Sequence, residues 1–199
     1  MVQALRIQQK TSQSREDRQQ EDAATALVNP ASGIANDYLN LFNEIVMLIE
    51  QLPTMPELIE DIKAWRPTTY REYFAKSPLP GSGNALQAYE KLDVLFRMEF
   101  EKIVAELDQQ ATGIVAAIRL HQRAKKGSDR FELEVICGRG GSALRETLDR
   151  AVNVVNDGLK GIERNARARQ ARLQKIREQS IRDVEDFYNK PRWDFEEDQ

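Results

Sequence analysis

The sequence is poor in the residues that build disulfides and metal sites. Its 199 residues include one cysteine, Cys137, and one histidine, His121. A single cysteine cannot form an internal disulfide, and a zinc site of the Cys/His kind needs more ligands than these two. We therefore expect a protein of a reducing compartment, the cytoplasm, that uses no metal and no cofactor.

Long apolar runs and a strong excess of one charge are also missing. No window approaches the roughly 18 consecutive apolar residues of a membrane-spanning helix, so we expect no membrane insertion. The first ten residues lack the apolar core of a secretory signal. The net charge of −3 is too small to attract nucleic acid or a membrane as a whole, so any such binding must come from a local cluster.

The composition that remains is typical of long, solvent-exposed helices. Hydrophobic residues make up 41% of the chain and charged residues 31%, which is more charge than globular domains usually carry. We predict an all-α fold. Residues 131–137 alternate weakly between apolar and other side chains, which leaves a short strand or an irregular or helical turn open there.

Helical periodicity begins at residue 36. Apolar residues recur at spacings of three and four from Tyr38 to Ile49, and Pro53, Pro56 and Pro67 divide the next stretch of chain into short helices. Residues 36–75 are therefore predicted to form a small helical module. Residues 1–30, rich in glutamine and charge, are predicted to be a disordered N-terminal arm.

Two longer apolar stripes come after a loop at residues 77–84. The first predicts a helix over 85–125, and the second a helix over 142–189 that Ser142 caps. Helices of this length imply pairing as a coiled coil or hairpin. We predict a helical bundle over 36–189 in which residues 85–189 form a long antiparallel hairpin, followed by an acidic C-terminal tail at 190–199.

A glycine-rich segment directly before the last predicted helix is a candidate anion site. It comprises Gly138, Arg139, Gly140, Gly141 and Ser142. Backbone N–H groups of such a loop can converge on a phosphate or carboxylate, and Arg139 would add a positive charge. The segment matches no known phosphate-binding motif, and a plain turn between helices explains the glycines as well.

The last predicted helix carries a basic face opposite its apolar stripe. The face consists of Arg164, Arg167, Arg172, Lys175 and Arg182. Such a stripe can follow a phosphate backbone or receive an acidic protein segment, and the chain's own acidic tail is one such segment. No aromatic residues are interleaved to stack on bases, and a merely solvated helix face remains open.

No group of residues has the pattern of a catalytic site. His121 continues the apolar stripe of its helix and is expected to be buried, with no serine or cysteine assigned beside it. A carboxylate-bridged metal pair in a bundle would want several Glu-x-x-His pairs, and one histidine cannot supply them. We therefore expect no enzyme activity.

The 36–75 region resembles a group of small uncharacterised bacterial helical proteins. The resemblance rests on residues 36–44, on Trp65-Arg66-Pro67 and on the aromatic stretch at 70–74, within about a fifth of the chain. It implies no activity. It does imply that this module performs the function, with Tyr38, Asn40, Asn43 and Trp65 as candidates for a recognition surface, although a packed core explains the aromatic residues equally well.

These patterns together predict a non-enzymatic protein–protein interaction, regulatory or adaptor protein. Its long amphipathic helices favour self-association, so a protein partner, in the first place a second copy of the chain, is expected. The alternative is a nucleic-acid-associated protein that uses the basic face.

Overall fold

The computed structural model describes residues 27–124 and 130–189, and over these residues the protein is all-α, as predicted. Two 3-10 segments, Asn36–Leu39 and Pro56–Leu58, accompany seven α-helices. The helices are α1 (Asn40–Gln51), α2 (Ile59–Ala64), α3 (Tyr70–Lys76), α4 (Ser82–Glu90), α5 (Val94–Arg123), α6 (Arg130–Asp157) and α7 (Leu159–Asn189). An isolated antiparallel bridge between Val28 and Ala35 is the one β-type pairing in the described ranges.

Side-chain caps set two helix starts. The Thr69 hydroxyl accepts a hydrogen bond from the Glu72 backbone N–H, and the Glu72 carboxylate accepts one from Thr69 N–H, which forms a capping box for α3. The Asp93 carboxylate accepts from the N–H groups of Leu95 and Phe96 and begins α5. The predicted single helix over 85–125 is therefore two helices, α4 and α5.

Helices α5 and α6 form the predicted antiparallel hairpin. His121 near the end of α5 lies beside Glu132 near the start of α6, with 3.3 Å between Nδ1 and Oε2. Further along, Arg150 donates to both carboxylate oxygens of Glu106 at 2.9 and 3.0 Å. The residue numbers rise along one helix as they fall along the other, so the helices run in opposite directions.

The 36–75 module packs on this hairpin through an aromatic cluster. The Tyr38 ring makes edge contacts with Phe42, Tyr70 and Phe100, and its hydroxyl donates to the Thr68 carbonyl at 2.9 Å. Near the end of α1, Arg145 of α6 forms a two-pronged ion pair with Glu50 at 2.6 and 3.0 Å. The module and the hairpin therefore share one hydrophobic core.

Helix α6 corrects the sequence prediction for residues 131–142. Of the alternatives left open for residues 131–137, the strand is not formed and the stretch is helical. The predicted helix start at Ser142 is wrong, because one helix runs from Arg130 through this stretch. Buried positions at Cys137, Gly141, Leu144 and Leu148 follow helical spacing. The buried face of α6 thus includes Gly141, which has no apolar side chain to mark it in the sequence.

The predicted 142–189 helix is interrupted at Gly158. This residue has a φ of +58°, the left-handed conformation that glycine adopts without strain, and it separates α6 from α7. A Cβ at Gly158 would lie 2.4 Å from the Ala31 carbonyl oxygen, and one at Gly161 would lie 2.1 Å from the Asn153 carbonyl oxygen. Both glycines permit backbone contacts that no other residue would allow.

The first described residues pack against this junction. Leu27 and Val28 lie against the core, and Ile34 and Ala35 are fully buried. Residues 27–30 of the predicted arm are thus held in place, whereas its residues 1–26 and the predicted tail at 190–199 lie outside the described residues.

The chain divides into two compact units, Met1–Ile162 and Glu163–Gln199. The described part of the second unit is the remainder of α7, a single helix whose side chains are exposed throughout residues 166–189. Within the described residues no helix is long and apolar enough to cross a membrane.

Candidate interaction surface

Helix α7 exposes a row of large apolar side chains. The row comprises Leu173, Ile176, Ile181, Val184 and Phe187, which are 49 to 74% exposed. At about 100° per residue they fall within one broad arc of the helix. Monomeric proteins seldom leave a large apolar patch uncovered, so this row is a candidate surface for a partner. We call it the α7 stripe.

The centre of the α7 stripe is Ser180. Leu173, Ile176, Val184 and Phe187 stand at equal distances in sequence on its two sides, with spacings of three, four, four and three. The Ser180 hydroxyl donates to the Ile176 carbonyl at 2.9 Å. Because its hydrogen-bonding capacity is used within the helix, Ser180 can be covered by another apolar surface at little cost.

Charges are separated along α7. From residue 163 to 177 the helix carries six basic residues and one acidic residue, whereas from 178 to 189 it carries one basic residue and four acidic residues. The first half is therefore at +5 and the second at −3. Because the positive half precedes the negative half, the charges distinguish a parallel from an antiparallel second copy of the helix.

The five residues of the predicted basic face are all exposed and lie on the side of α7 away from the stripe. Arg167 forms an ion pair with Glu163 at 3.4 Å, and Arg182 donates to the Gln179 side chain at 3.0 Å. These are one-turn contacts along the helix surface. They contribute a few tenths of a kcal/mol at most and leave the arginines accessible to a partner.

The candidate anion site is not formed as predicted, because Gly138 to Ser142 lie inside α6 rather than before a helix. A Cβ at Gly140 would meet the Ile114 side chain at 2.8 Å, and one at Gly141 would meet Glu50 at 3.1 Å. These two glycines let α5 and α1 approach α6 closely. Arg139 and Ser142 are exposed on the helix surface.

Two of the four residues of the candidate recognition surface in the 36–75 module are buried. Tyr38 and Trp65 are buried, and the Trp65 indole N–H donates to the Leu41 carbonyl at 3.3 Å. Their assignment to a surface is therefore corrected, since both belong to the core. Asn40 and Asn43 are exposed, one turn apart on α1.

Outside the tyrosines of the aromatic cluster, the buried titratable groups of the described residues are dispersed. Burial raises the pKa of the Cys137 thiol to about 11 and that of the Asp108 carboxyl to about 6. His121 is buried on the same helix as Asp108, thirteen residues on, which corresponds to about 20 Å along α5. Within residues 27–124 and 130–189, no three His, Cys, Asp or Glu side chains gather to hold a metal ion.

A shallow recess of about 180 Å³ lies between Ala31, Ser32, Asp93, Phe96 and Leu159. Its one carboxylate, Asp93, accepts two backbone hydrogen bonds at the start of α5. The Asp93 carboxylate therefore acts as the N-terminal cap of α5. The one hydroxyl of the lining, that of Ser32, accepts a hydrogen bond from the Ile34 backbone N–H.

Comparison with protein-family models, with curated proteins and with solved structures finds no match to this chain. The sequence predicted the apolar face of α7 but not its exposure. Its apolar periodicity predicted a covered face, but nothing in the sequence could tell whether the cover belongs to the same chain.

Proposed function

We propose that this protein is a non-enzymatic interaction protein of the adaptor or regulatory kind, which self-associates through the α7 stripe. The observation that supports the proposal is the exposure of Leu173, Ile176, Val184 and Phe187 on one face of an otherwise polar helix. Full burial of such a side chain contributes about 1.5 to 3 kcal/mol. Two copies that cover each other's stripes would each gain several such contributions.

The shape of the stripe also favours a partner that is a helix. The exposed row is narrow and follows a 3.6-residue repeat, which is the shape of a helix–helix seam rather than of a pocket for a small molecule. We place the protein in the cytoplasm, where the unpaired, buried Cys137 is stable as a thiol.

Sedimentation equilibrium of the full chain tests the proposal. The wild-type mass should rise with concentration from 22.8 kDa toward twice that value. Leu173→Glu places a charge within the seam and should hold the chain at the monomer mass. A wild-type protein that stays monomeric up to about 100 µM, where even weak, transient interfaces are populated, would refute self-association.

Ala171→Glu is the matched control. Ala171 is exposed on the side of α7 opposite the stripe, so the same charge is added to the same helix without entering the seam. This variant should associate like the wild type. If Ala171→Glu disrupts association as strongly as Leu173→Glu, the effect comes from charge alone and the stripe is not the interface.

Nucleic acid binding by the basic face is the second candidate function. It is favoured by the joint exposure of Arg164, Arg167 and Lys175 on one side of α7. Affinity for duplex DNA should then fall steeply with added salt, with a slope of about 0.9 per phosphate contacted. The triple change of Arg164, Arg167 and Arg172 to Glu should remove binding, and an unchanged affinity would eliminate this function.

A further inference from the structure

We infer that the second copy lies antiparallel on α7, centred on Ser180, so that Leu173 of one copy packs on Phe187 of the other and Ile176 packs on Val184. This inference rests on the self-association proposed above and adds its orientation and register. It is supported by the symmetry of the stripe and by the charge separation along the helix.

The symmetry of the stripe permits the antiparallel arrangement. A two-fold axis perpendicular to the helices at Ser180 brings residues equally far from Ser180 to the same level. Because the spacing of apolar residues is three, four, four and three, each of these four residues then meets an apolar residue of the second copy. Ser180 meets its own equivalent, and its small side chain, already bonded to the Ile176 carbonyl, allows close approach.

A parallel pair would also bring apolar residues together, so the charges decide between the two orientations. In the parallel pair the half at +5 lies along another half at +5, whereas in the antiparallel pair it lies along the half at −3. Helix axes in such pairs are about 8 to 10 Å apart, which is within the range of electrostatic interaction at physiological salt. The antiparallel pair is therefore favoured.

The pairing of levels shows the same preference residue by residue. In the antiparallel register Arg177, which at about 100° per residue lies within the arc of the stripe, stands at the level of Asp183 of the second copy. In the parallel register each of these two residues stands at the level of an identical charge. Orientation is therefore determined by long-range charge, while the stripe supplies the attraction.

Thiol cross-linking of the full chain tests the orientation. In a Cys137→Ala background, single cysteines are introduced as Ser180→Cys, Leu173→Cys and Phe187→Cys, and a size tag on one partner distinguishes mixed from identical pairs. A short bismaleimide then joins thiols that the pair holds together. Held thiols experience millimolar effective concentration, so at a protein concentration at which sedimentation shows the variants to be paired, their yield should exceed the collisional yield by about tenfold or more.

The antiparallel pair predicts that Leu173→Cys mixed with Phe187→Cys cross-links to the mixed product, while each alone gives only the collisional yield. Ala171→Cys, on the opposite face, measures that yield. Leu173→Cys cross-linking to itself, with no mixed product, would show a parallel pair and overturn the inference.

Ser180→Cys separates this inference from the proposed function. Its thiols meet in both orientations, so a strong self-cross-link reports the helix pair itself. If Ser180→Cys cross-links and the mixed product is absent, the orientation is wrong and self-association stands. If Ser180→Cys gives only the collisional yield and the mass is monomeric, self-association itself fails; with a dimeric mass, the interface lies elsewhere and both are overturned.

Discussion

Replacing Gly138 with alanine tests the helical assignment of residues 130–157. Gly138 is exposed in the interior of α6, and an added Cβ would meet no atom within 4 Å. Alanine in such a position is favoured over glycine by about 0.8 to 1 kcal/mol. Gly138→Ala should therefore stabilise the protein.

The stabilisation can be measured in two ways. Urea unfolding monitored by circular dichroism should give a gain of about 1 kcal/mol, and the melting temperature should rise by about 2 to 4 °C for a chain of this size. Gly113→Ala in α5 is the matched control, since it is also exposed, helical and open around the added Cβ. The two variants should behave alike.

The opposite sign would refute the reasoning. If residues 138–142 formed a glycine loop with left-handed backbone, alanine would be strained there and the protein would lose stability. In the structure the positive φ values of glycine occur at Gly33, Gly81 and Gly158. If Gly138→Ala lowers the free energy of unfolding while Gly113→Ala raises it, residues 138–142 form the loop expected from their composition.

Three further changes have defined outcomes. Gly161→Ala forces a Cβ to within 2.1 Å of the Asn153 carbonyl oxygen and should cost about 1 to 3 kcal/mol in urea unfolding; a neutral result would show that the two helices can separate freely. Leu173→Ala removes three carbons from each copy at about half their full burial, which weakens self-association by roughly 2 to 3 kcal/mol or about 30- to 150-fold in Kd, while Lys175→Ala should change it little. Asp108 binds its proton more tightly when folded, because burial raises its pKa from 3.8 to about 6, so stability should fall as pH rises between these values. Asp108→Asn should abolish that fall and gain about 1 kcal/mol at pH 8, after allowance for partial solvent screening; an unchanged pH profile of stability would contradict the assignment.

Periodicity predicted the helices well where apolar residues mark both the buried face and its limits. The stripe from Tyr38 to Ile49 became the 3-10 segment Asn36–Leu39 and α1, and the antiparallel pairing of the long helices is present in α5 and α6. The break between α4 and α5 was missed because the apolar stripe continues across it. Asp93, whose carboxylate accepts hydrogen bonds from the first N–H groups of α5, was the signal that could have located it.

Residues 131–142 could not be assigned from local preference. Three glycines within four positions disfavour a helix, and the side chains before them alternate as in a strand. Packing decides the matter, because Gly140 and Gly141 provide room for Ile114 and Glu50 of neighbouring helices. Tertiary contact thus outweighs the low helix propensity of glycine, and these contacts are invisible in the sequence.

The surface of α7 shows a different limit. The amphipathic pattern of Leu173 and its neighbours was evident, and so was the basic face opposite. Whether an apolar stripe is covered by its own chain or by another depends on where the remaining helices lie. In the described residues beyond 162 the stripe is exposed, which sequence periodicity cannot distinguish from burial.

The junction at Gly158 also has a consequence for the order of folding. The α5–α6 hairpin joins residues close in sequence and can form early. Asn29 and Asn36 both donate to the Asn156 side chain, 127 and 120 residues away along the chain, so this junction closes a loop of almost the whole first unit. Because closing a long loop costs more entropy than closing a short one, we expect the contacts of residues 29–36 to form after the hairpin.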